Sequence, residues 1–245
     1  MNIGILIGKH NSGGVAGKNY MTLLGRPVVE YPLLAAKNSN VIDELYISTD
    51  SETIKDINQP YGFNIIDRPD YLCQSDSPTE DVFKHAYDII KKNHRNINYI
   101  ILLFANSVDV LPADWDEAVK MLDNNQEFDS VVSISKFNMF SPLRARLLDK
   151  DNSTKPLLNI ESMGLENTFD RDALGDCYFI DFSIQVIRPK CLENIDNGSL
   201  PFKWLGQTQG AITKDYGFDI DAEWQIPVME NWLKVNGFSE TKVPY

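Results

Sequence analysis

Hydrophobic positions in the first half of the chain follow two alternating rhythms. Ile3 to Ile7 is an apolar run too short for a helix and closed by Gly8, so it reads as a buried strand. A loop of Gly, Ser, Asn and Lys follows to Asn19. Pro27 suits a helix start, and Val28, Tyr31, Leu34 and Ala35 fall on one helical face. The pattern then predicts a strand at Leu45–Ser48, a short helix at Ser51–Ile57 and a strand at Phe63–Ile66. Thr79 is placed to cap a helix in which Val82, Phe83, Ala86, Ile89 and Ile90 are spaced for burial. Tyr99–Phe104 reads as a central strand, Asp114–Leu122 as a helix with Trp115, Ala118, Val119 and Leu122 on one face, and Ser130–Ile134 as a strand. Strands and helices in alternation argue for an α/β fold of three layers, a mostly parallel sheet with helices on both faces.

The rhythm breaks near Lys136. From there to Asp176 no long periodic segment occurs, and Asp, Asn, Ser and Pro are common. So long a structureless stretch is unusual within a compact domain. Residues 136–176 are therefore read as an insertion that packs on a partner subunit or covers a site. Regular signals return at Tyr178–Ile187, at Phe218–Asp221 and in a last helix near Ala222–Val235, with Trp224, Val228 and Trp232 taken as packing residues. No repeat, low-complexity tract or clear linker divides the chain, so residues 1–245 read as one domain with an excursion.

Composition excludes several classes of function. The 245 residues are 43% hydrophobic and 24% charged, which supports an ordinary core. Lys and Arg number 23 against 35 Asp and Glu, a net charge of −12. Such a surface repels nucleic acid and anionic membranes. No apolar run reaches the roughly 18 residues of a membrane span, and MNIGILIG does not have the build of a signal peptide. Three widely spaced cysteines (Cys73, Cys177, Cys191) form no CxxC pair, which fits a reducing cytoplasm.

Against that acidic background the first 29 residues hold Lys9, Lys18 and Arg26 but no Asp or Glu. The inversion coincides with Gly8, Gly13, Gly14 and Gly17, between the first strand and the first helix. Glycines let backbone N–H groups approach an anion, and parallel sheets bind ligands beyond the carboxyl ends of their strands. A phosphate-bearing ligand is one reading; a solvated flexible loop is the other. Ser12 and Asn19 break the Walker pattern, and Ser12 also breaks the GxGxxG dinucleotide fingerprint, which disfavours a dehydrogenase-like enzyme. The second candidate is Asp219-Ile220-Asp221. In a strand, residues two apart share a face, so both carboxylates can meet one Mg²⁺, which also takes substrate phosphates. Taken alone, the pair reads first as surface acids, and its value lies in combination with the loop.

Together the residues resemble a known family. Lys9-His10-Asn11-Ser12-Gly13-Gly14-Val15-Ala16-Gly17-Lys18-Asn19 is similar to the signature A-R-x-x-S-K-x-x-x-x-K-N of the CMP-sialic acid synthetases, or acylneuraminate cytidylyltransferases. Leu24-Gly25-Arg26-Pro27, Ser48-Thr49-Asp50, Arg68-Pro69, Asp129–Ser133 and Asp219-Ile220-Asp221-Ala222-Glu223 resemble family segments at similar spacing. The resemblance implies a Rossmann-like nucleotidyltransferase, usually a homodimer, moving CMP from CTP to an acidic sugar with Mg²⁺. It implies Lys9, Asn11, Ser12, Gly13, Gly14, Lys18, Asn19, Arg68 and Thr79 around the nucleotide, with Asp219 and Asp221 as metal carboxylates. Phe104, Asn106, Arg171 and Asp181 fall on the acceptor side.

Departures accompany the matches. The family's loop Arg is Lys9 and its loop Lys is Gly13. Its L-L-Q-P-T-S-P-L-R segment is Leu102–Val110 here, without the Gln and Arg, and its Asn at the later strand is Asp181. A non-catalytic or altered-specificity relative, acting on another small anionic acceptor, is the alternative reading. No residue presents itself as a general base.

Overall fold

The computed structural model describes residues 1–11, 13–159, 162 and 175–245. Its frame is a seven-stranded sheet. The first four strands are β1 (Asn2–Ile7), β4 (Glu44–Thr49), β5 (Asn64–Asp67) and β6 (Tyr99–Phe104); β7 (Ser130–Lys136), β10 (Tyr178–Ile187) and β11 (Gln209–Lys214) complete it. Two short hairpins, β2 (Thr22–Leu23) with β3 (Arg26–Pro27) and β8 (Arg146–Leu148) with β9 (Thr154–Pro156), stand outside it. The spatial order is β11-β7-β10-β6-β1-β4-β5. All neighbouring pairs are parallel except those of β10, which runs antiparallel between β6 and β7.

Alternation within the strands sorts side chains into two layers of core. Leu6 of β1 and Ile101 and Leu103 of β6 join Ala35 of α1 (Glu30–Lys37), Ile54 of α2 (Glu52–Asn58) and Trp115, Ala118 and Leu122 of α4 (Pro112–Asn124). Ile3, Ile5, Ile100 and Leu102 face the other way, toward Val82, Phe83, Ala86 and Ile90 of α3 (Thr79–Ile90) and Cys191 and Leu192 of α5 (Lys190–Glu193). The expected three-layer α/β fold is thus present. A third cluster unites Val28, Tyr31 and Ile220 with Met229, Trp232 and Leu233 of α6 (Gln225–Val235).

The strands Tyr99–Phe104 and Tyr178–Ile187 lie where hydrophobic pattern predicts them. Four local expectations change. Pro27 lies in a hairpin, because Leu24 and Gly25 both take positive φ (45° and 80°) and close a two-residue turn; the helix starts at Glu30. Thr79 is the first residue of α3, and Pro78 stands at the cap position with no side-chain bond. Phe218–Asp221 belongs to no strand. Trp232 is buried against the core, but Trp224 precedes α6 and is 57% exposed. Within 136–176 the described residues form short 3₁₀ turns at Asn138–Phe140 and Pro142–Arg144 and the β8–β9 hairpin.

Strand order places the site. From β1 the chain steps outward to β4 and β5, then returns to lay β6 on the opposite side of β1. At such a reversal the loops leaving the two strands diverge and open a crevice at their carboxyl ends.

Candidate functional site

That crevice is a cavity of about 460 Å³. Four parts of the chain line it: Gly8, Lys9, Gly13, Gly14, Lys18 and Asn19 after β1; Arg68, Ser77 and Thr79 between β5 and α3; Phe104 and Asn106 at the end of β6; and Asp219 with Asp221. The cradle and the aspartates, some two hundred residues apart in sequence, face one space.

Hydrogen bonds within the glycine-rich loop hold it in place. Asn19, 3% exposed, donates from Nδ2 to the Lys9 carbonyl at 2.8 Å, tying the two ends of the loop together. The His10 amide donates to Asp50 Oδ1 at 2.7 Å, and Lys9 Nζ to the Gln74 carbonyl at 3.0 Å. Gly14 sits at φ 80°, and a Cβ there would stand 2.2 Å from the Asp221 carbonyl oxygen. No other residue type lets the loop come so close to the aspartate segment. Lys18 closes the contact chemically: its ammonium pairs with Asp221 Oδ1, the lysine side chain 9% exposed and the aspartate 57%.

The aspartate segment belongs to no strand, and Asn106 holds it in place. Ile220, fully buried in the third cluster, donates its N–H to the Asn106 carbonyl at 3.0 Å. The Asn106 side-chain amide returns a bond to the Ile220 carbonyl at 3.0 Å and another to Asp219 Oδ2 at 2.9 Å. Plugging Ile220 inward leaves the carboxylates on either side of it at the cavity, as strand alternation would have done. Burial, and then the nearby Asp221, pushes the Asp219 carboxyl above the usual range, and the Asn106 bond pulls it back. The Gln225 side chain accepts from the Asp221 and Ala222 amides at 2.6 Å, bracing the far side of the turn.

Arg68 is 7% exposed and donates to the Ser48 carbonyl (2.6 Å) and hydroxyl (3.4 Å). Burial lowers its pKa, and among the described residues no carboxylate stands within ion-pair distance of it. A buried cation without a carboxylate favours an incoming anion. The first turn of α3 borders the cavity through Thr79 and Val82 and brings the positive end of its dipole there. Three cations (Lys9, Lys18, Arg68) against two carboxylates give the lining a charge of +1, inverted relative to the whole chain.

A divalent cation fits this donor set. Among the described residues no group of three or more His, Cys, Asp or Glu could hold a metal ion by itself. Two carboxylates beside a cationic phosphate cradle suit Mg²⁺, which completes its shell with water and substrate phosphates. Cys73 Sγ donates to the Pro69 carbonyl at 3.4 Å, and burial holds its thiol above the ordinary range, which argues against a nucleophilic thiolate.

The remaining expected positions fall elsewhere. Asn11 is exposed and does not line the cavity. Ser12 and Arg171 lie outside the described residues. Phe104 borders the cavity but offers no polar atom, and Asp181 lines a second, aromatic cavity. Sequence reasoning missed Ser77, a loop serine with no distinguishing pattern. It also missed the aromatic lining of that second cavity, whose members come from distant segments.

A mostly parallel α/β sheet with a glycine-rich cationic loop and paired carboxylates at its switch point has the geometry of a site for a phosphate-bearing ligand. The model of the cytidylyltransferase family matches residues 3–160, and the chain belongs to that family. N-acylneuraminate cytidylyltransferase A of Danio rerio is 28% identical over 155 residues, 62% of this chain and 34% of that protein. The N-acylneuraminate cytidylyltransferase of Escherichia coli is 27% identical over 164 residues, covering 65% and 36%. The chain therefore spans about a third of the length of these curated relatives. CMP-N,N'-diacetyllegionaminic acid synthase of Legionella pneumophila matches almost end to end, 26% identical over 91% of this chain and 93% of that one. Among solved structures, a CMP:2-keto-3-deoxy-manno-octonic acid synthetase in complex with CTP superposes with a TM-score of 0.66 at 12% identity, covering 96% and 99%. The fold is the same.

Proposed function

We propose that this chain transfers CMP from CTP to a small acidic sugar and releases pyrophosphate, with Mg²⁺ as cofactor. The observation that carries the reading is the meeting of the glycine-rich cradle and the paired aspartates in one cavity, with Gly14 packed against Asp221. The relatives named above for acylneuraminate and diacetyllegionaminic acid chemistry support it.

In this reaction an acceptor hydroxyl oxygen forms a bond to the α-phosphorus, the bond from that phosphorus to pyrophosphate breaks, and the hydroxyl proton passes to solvent. Lys9, Lys18 and Arg68 neutralise the triphosphate and hold it in line for attack. The loop amides and Asn19 position it and do not react. Asp219 and Asp221 would hold Mg²⁺, which supplies charge neutralisation on phosphate oxygens. Asn106 keeps Asp219 oriented, and Phe104 forms an apolar wall of the cavity.

Pyrophosphate release measured with each of the four NTPs and a panel of nonulosonic and octulosonic acids tests the reading. Release with CTP alone, and with one class of acid, is the expected result. CTP raising the melting temperature with no turnover on any acid would favour a non-catalytic relative instead. We also propose a homodimer formed through the segment between β7 and β10, where Met139, Phe140, Leu147, Leu148 and Leu157 are exposed. A monomer in sedimentation at 50 µM, roughly the regime of weak dimers, would contradict it.

A further inference from the structure

Two departures from the family, 72 residues apart in sequence, meet inside the fold. Asp109 stands where the family segment has Leu, and Asp181 where a later strand has Asn. Asp181 is 3% exposed in a bulge of β10, where the register against β7 shifts between Ile180 and Gln185. It accepts from the Ser133 and Ser135 hydroxyls and from the Ser183 amide at 3.1 Å. The Ser183 hydroxyl in turn donates to Asp109 Oδ2. Lys214, at the end of β11, donates to the Asp109 carbonyl and stands 3.7 Å from Oδ2. Asp109 is fully buried, and its Oδ1 has no hydrogen-bond partner among the described residues.

The same carboxylate seats the segment that carries Asp219. Gly217 presses its Cα against it: a Cβ there would stand 2.4 Å from Asp109 Oδ2, 3.0 Å from Ser183 Oγ and 3.1 Å from Asp181 Oδ2. The stretch from Lys214 to Ile220 is thus fastened at two places to the loop that follows β6. Lys214 and Gly217 meet Asp109, while Asp219 and Ile220 meet Asn106. Replacing a buried ion pair by apolar side chains is often neutral or stabilising, and a buried polar atom without a partner calls for an explanation. Stability does not account for Asp109; what it holds in place does.

We propose that Asp109 is a positioning residue for CMP transfer: its buried carboxylate, held by Lys214 and Ser183, fixes the backbone from Gly217 to Asp219 and so the place of the Asp219 carboxylate in the cavity. The inference rests on the cytidylyl-transfer reading and goes beyond it, to a residue that does not line the nucleotide cavity. Gly217 has no side chain to absorb a shift, so its backbone follows the Asp109 carboxyl directly. A misplacement of about 1 Å at a reacting group costs about 100-fold in rate. The charges around Asp109 are Lys214 from β11, Asp181 from β10 and Asp114 of α4, whose Oδ2 lies 3.9 Å from the Lys214 ammonium. Lys214 is the cation among them, so the fastening is firm while Asp109 is ionised. Burial pushes the Asp109 carboxyl up to about 6, which leaves it ionised at pH 7.5.

Asp109→Asn in the full chain keeps the shape and removes the charge. At pH 7.5 its Tm should exceed the parent's while kcat/KM for pyrophosphate release falls about 10- to 100-fold. That loss should shrink toward parity as pH is lowered through about 6, because a protonated Asp109 and an asparagine carry the same charge. Calorimetry reads the same geometry without turnover. Adding Mg²⁺ should tighten CTP binding about fivefold less in the variant than in the parent, with metal-free CTP affinity within twofold. Asp109→Ser serves where the asparagine variant fails to fold. A more stable variant with kcat/KM within twofold of the parent overturns the proposal. So does a variant that loses Tm and activity together, since Asp109 would then be a structural group only, and so does a loss equal at every pH. A parent with no turnover on any acid overturns the underlying reading instead, and the calorimetric comparison then decides on Asp109 by itself.

Discussion

Replacing Asn106 by alanine removes two hydrogen bonds that shape the site and leaves the cradle untouched. One bond runs to Asp219 Oδ2 at 2.9 Å and one to the Ile220 carbonyl at 3.0 Å. A hydrogen bond to a charged group contributes about 1.5–3 kcal/mol, and one between neutral groups about 1 kcal/mol. If the first acts on how Asp219 meets the reacting groups, kcat/KM for CMP transfer should fall about 10- to 150-fold, at ~1.4 kcal/mol per decade. The second acts on the fold: about 1 kcal/mol lowers Tm by roughly 2–4 °C for a chain of this size. Asn106→Asp has nearly the same shape but sets a carboxylate against Asp219, so it should lose more activity than the alanine at a similar Tm. The assay is continuous pyrophosphate release at saturating CTP, with Mg²⁺ titrated, alongside differential scanning fluorimetry. The variant should also need more Mg²⁺ for half-maximal rate. A kcat/KM within twofold of the parent, with the modest Tm loss present, would refute the assignment of Asn106 as the residue that positions Asp219.

Other outcomes follow from the same geometry. Gly14→Ala must both adopt φ 80°, at a cost of about 1–2 kcal/mol, and relieve a 2.2 Å approach to the Asp221 carbonyl; CTP affinity by calorimetry should drop about tenfold or more, and unchanged affinity would mean the loop does not seat on the aspartates. Gly13→Lys restores the cation of the family loop at a position with nothing within 4 Å of the new Cβ, so CTP should bind several-fold tighter at low salt and lose that gain at high salt. Asp221→Asn should cut turnover by about 100-fold or more with little change in Tm, since its side chain is 57% exposed; an unaltered rate would remove Asp221 from the proposed metal site. Asp109 is fully buried, and burial raises its carboxyl to about 6, against Lys214 pulling it down. Its folded pKa lies above the unfolded one. The folded state therefore keeps a proton that the unfolded chain releases, and stability falls as pH rises through about 4 to 6. Above that window the raised carboxyl costs the fold about 3 kcal/mol. Asp109→Asn should match the parent near pH 4 and exceed it in Tm by several degrees at pH 7.5; a difference independent of pH would show that Asp109 does not titrate there.

The chain's linear pattern carries a good deal of this protein. Short apolar runs alternating with helical spacing specify the strands β1, β4, β6 and β7 and the helices α2, α3 and α4, because burial on one or both faces is written in each segment's own period. The glycines and lysines of residues 8–18 and the pair Asp219 and Asp221 stand out in the sequence as a candidate anion loop and a candidate cation pair, since each needs only neighbours in sequence. Their convergence was not legible. It depends on β6 crossing to the far side of β1, on Asn106 clamping Ile220, and on Gly14 admitting the Asp221 carbonyl, contacts between residues 97 or more apart in sequence. The antiparallel β10 and the bulge that tucks Asp181 under two serines are equally non-local, because strand pairing is chosen by partners and not by a strand's own residues. The aromatic cup is the plainest case. Phe137 and Phe179 carry no distinguishing pattern in the sequence, Phe218 and Trp224 read there as strand and packing residues, and only folding turns them into the wall of a cavity that shares an aspartate with its neighbour.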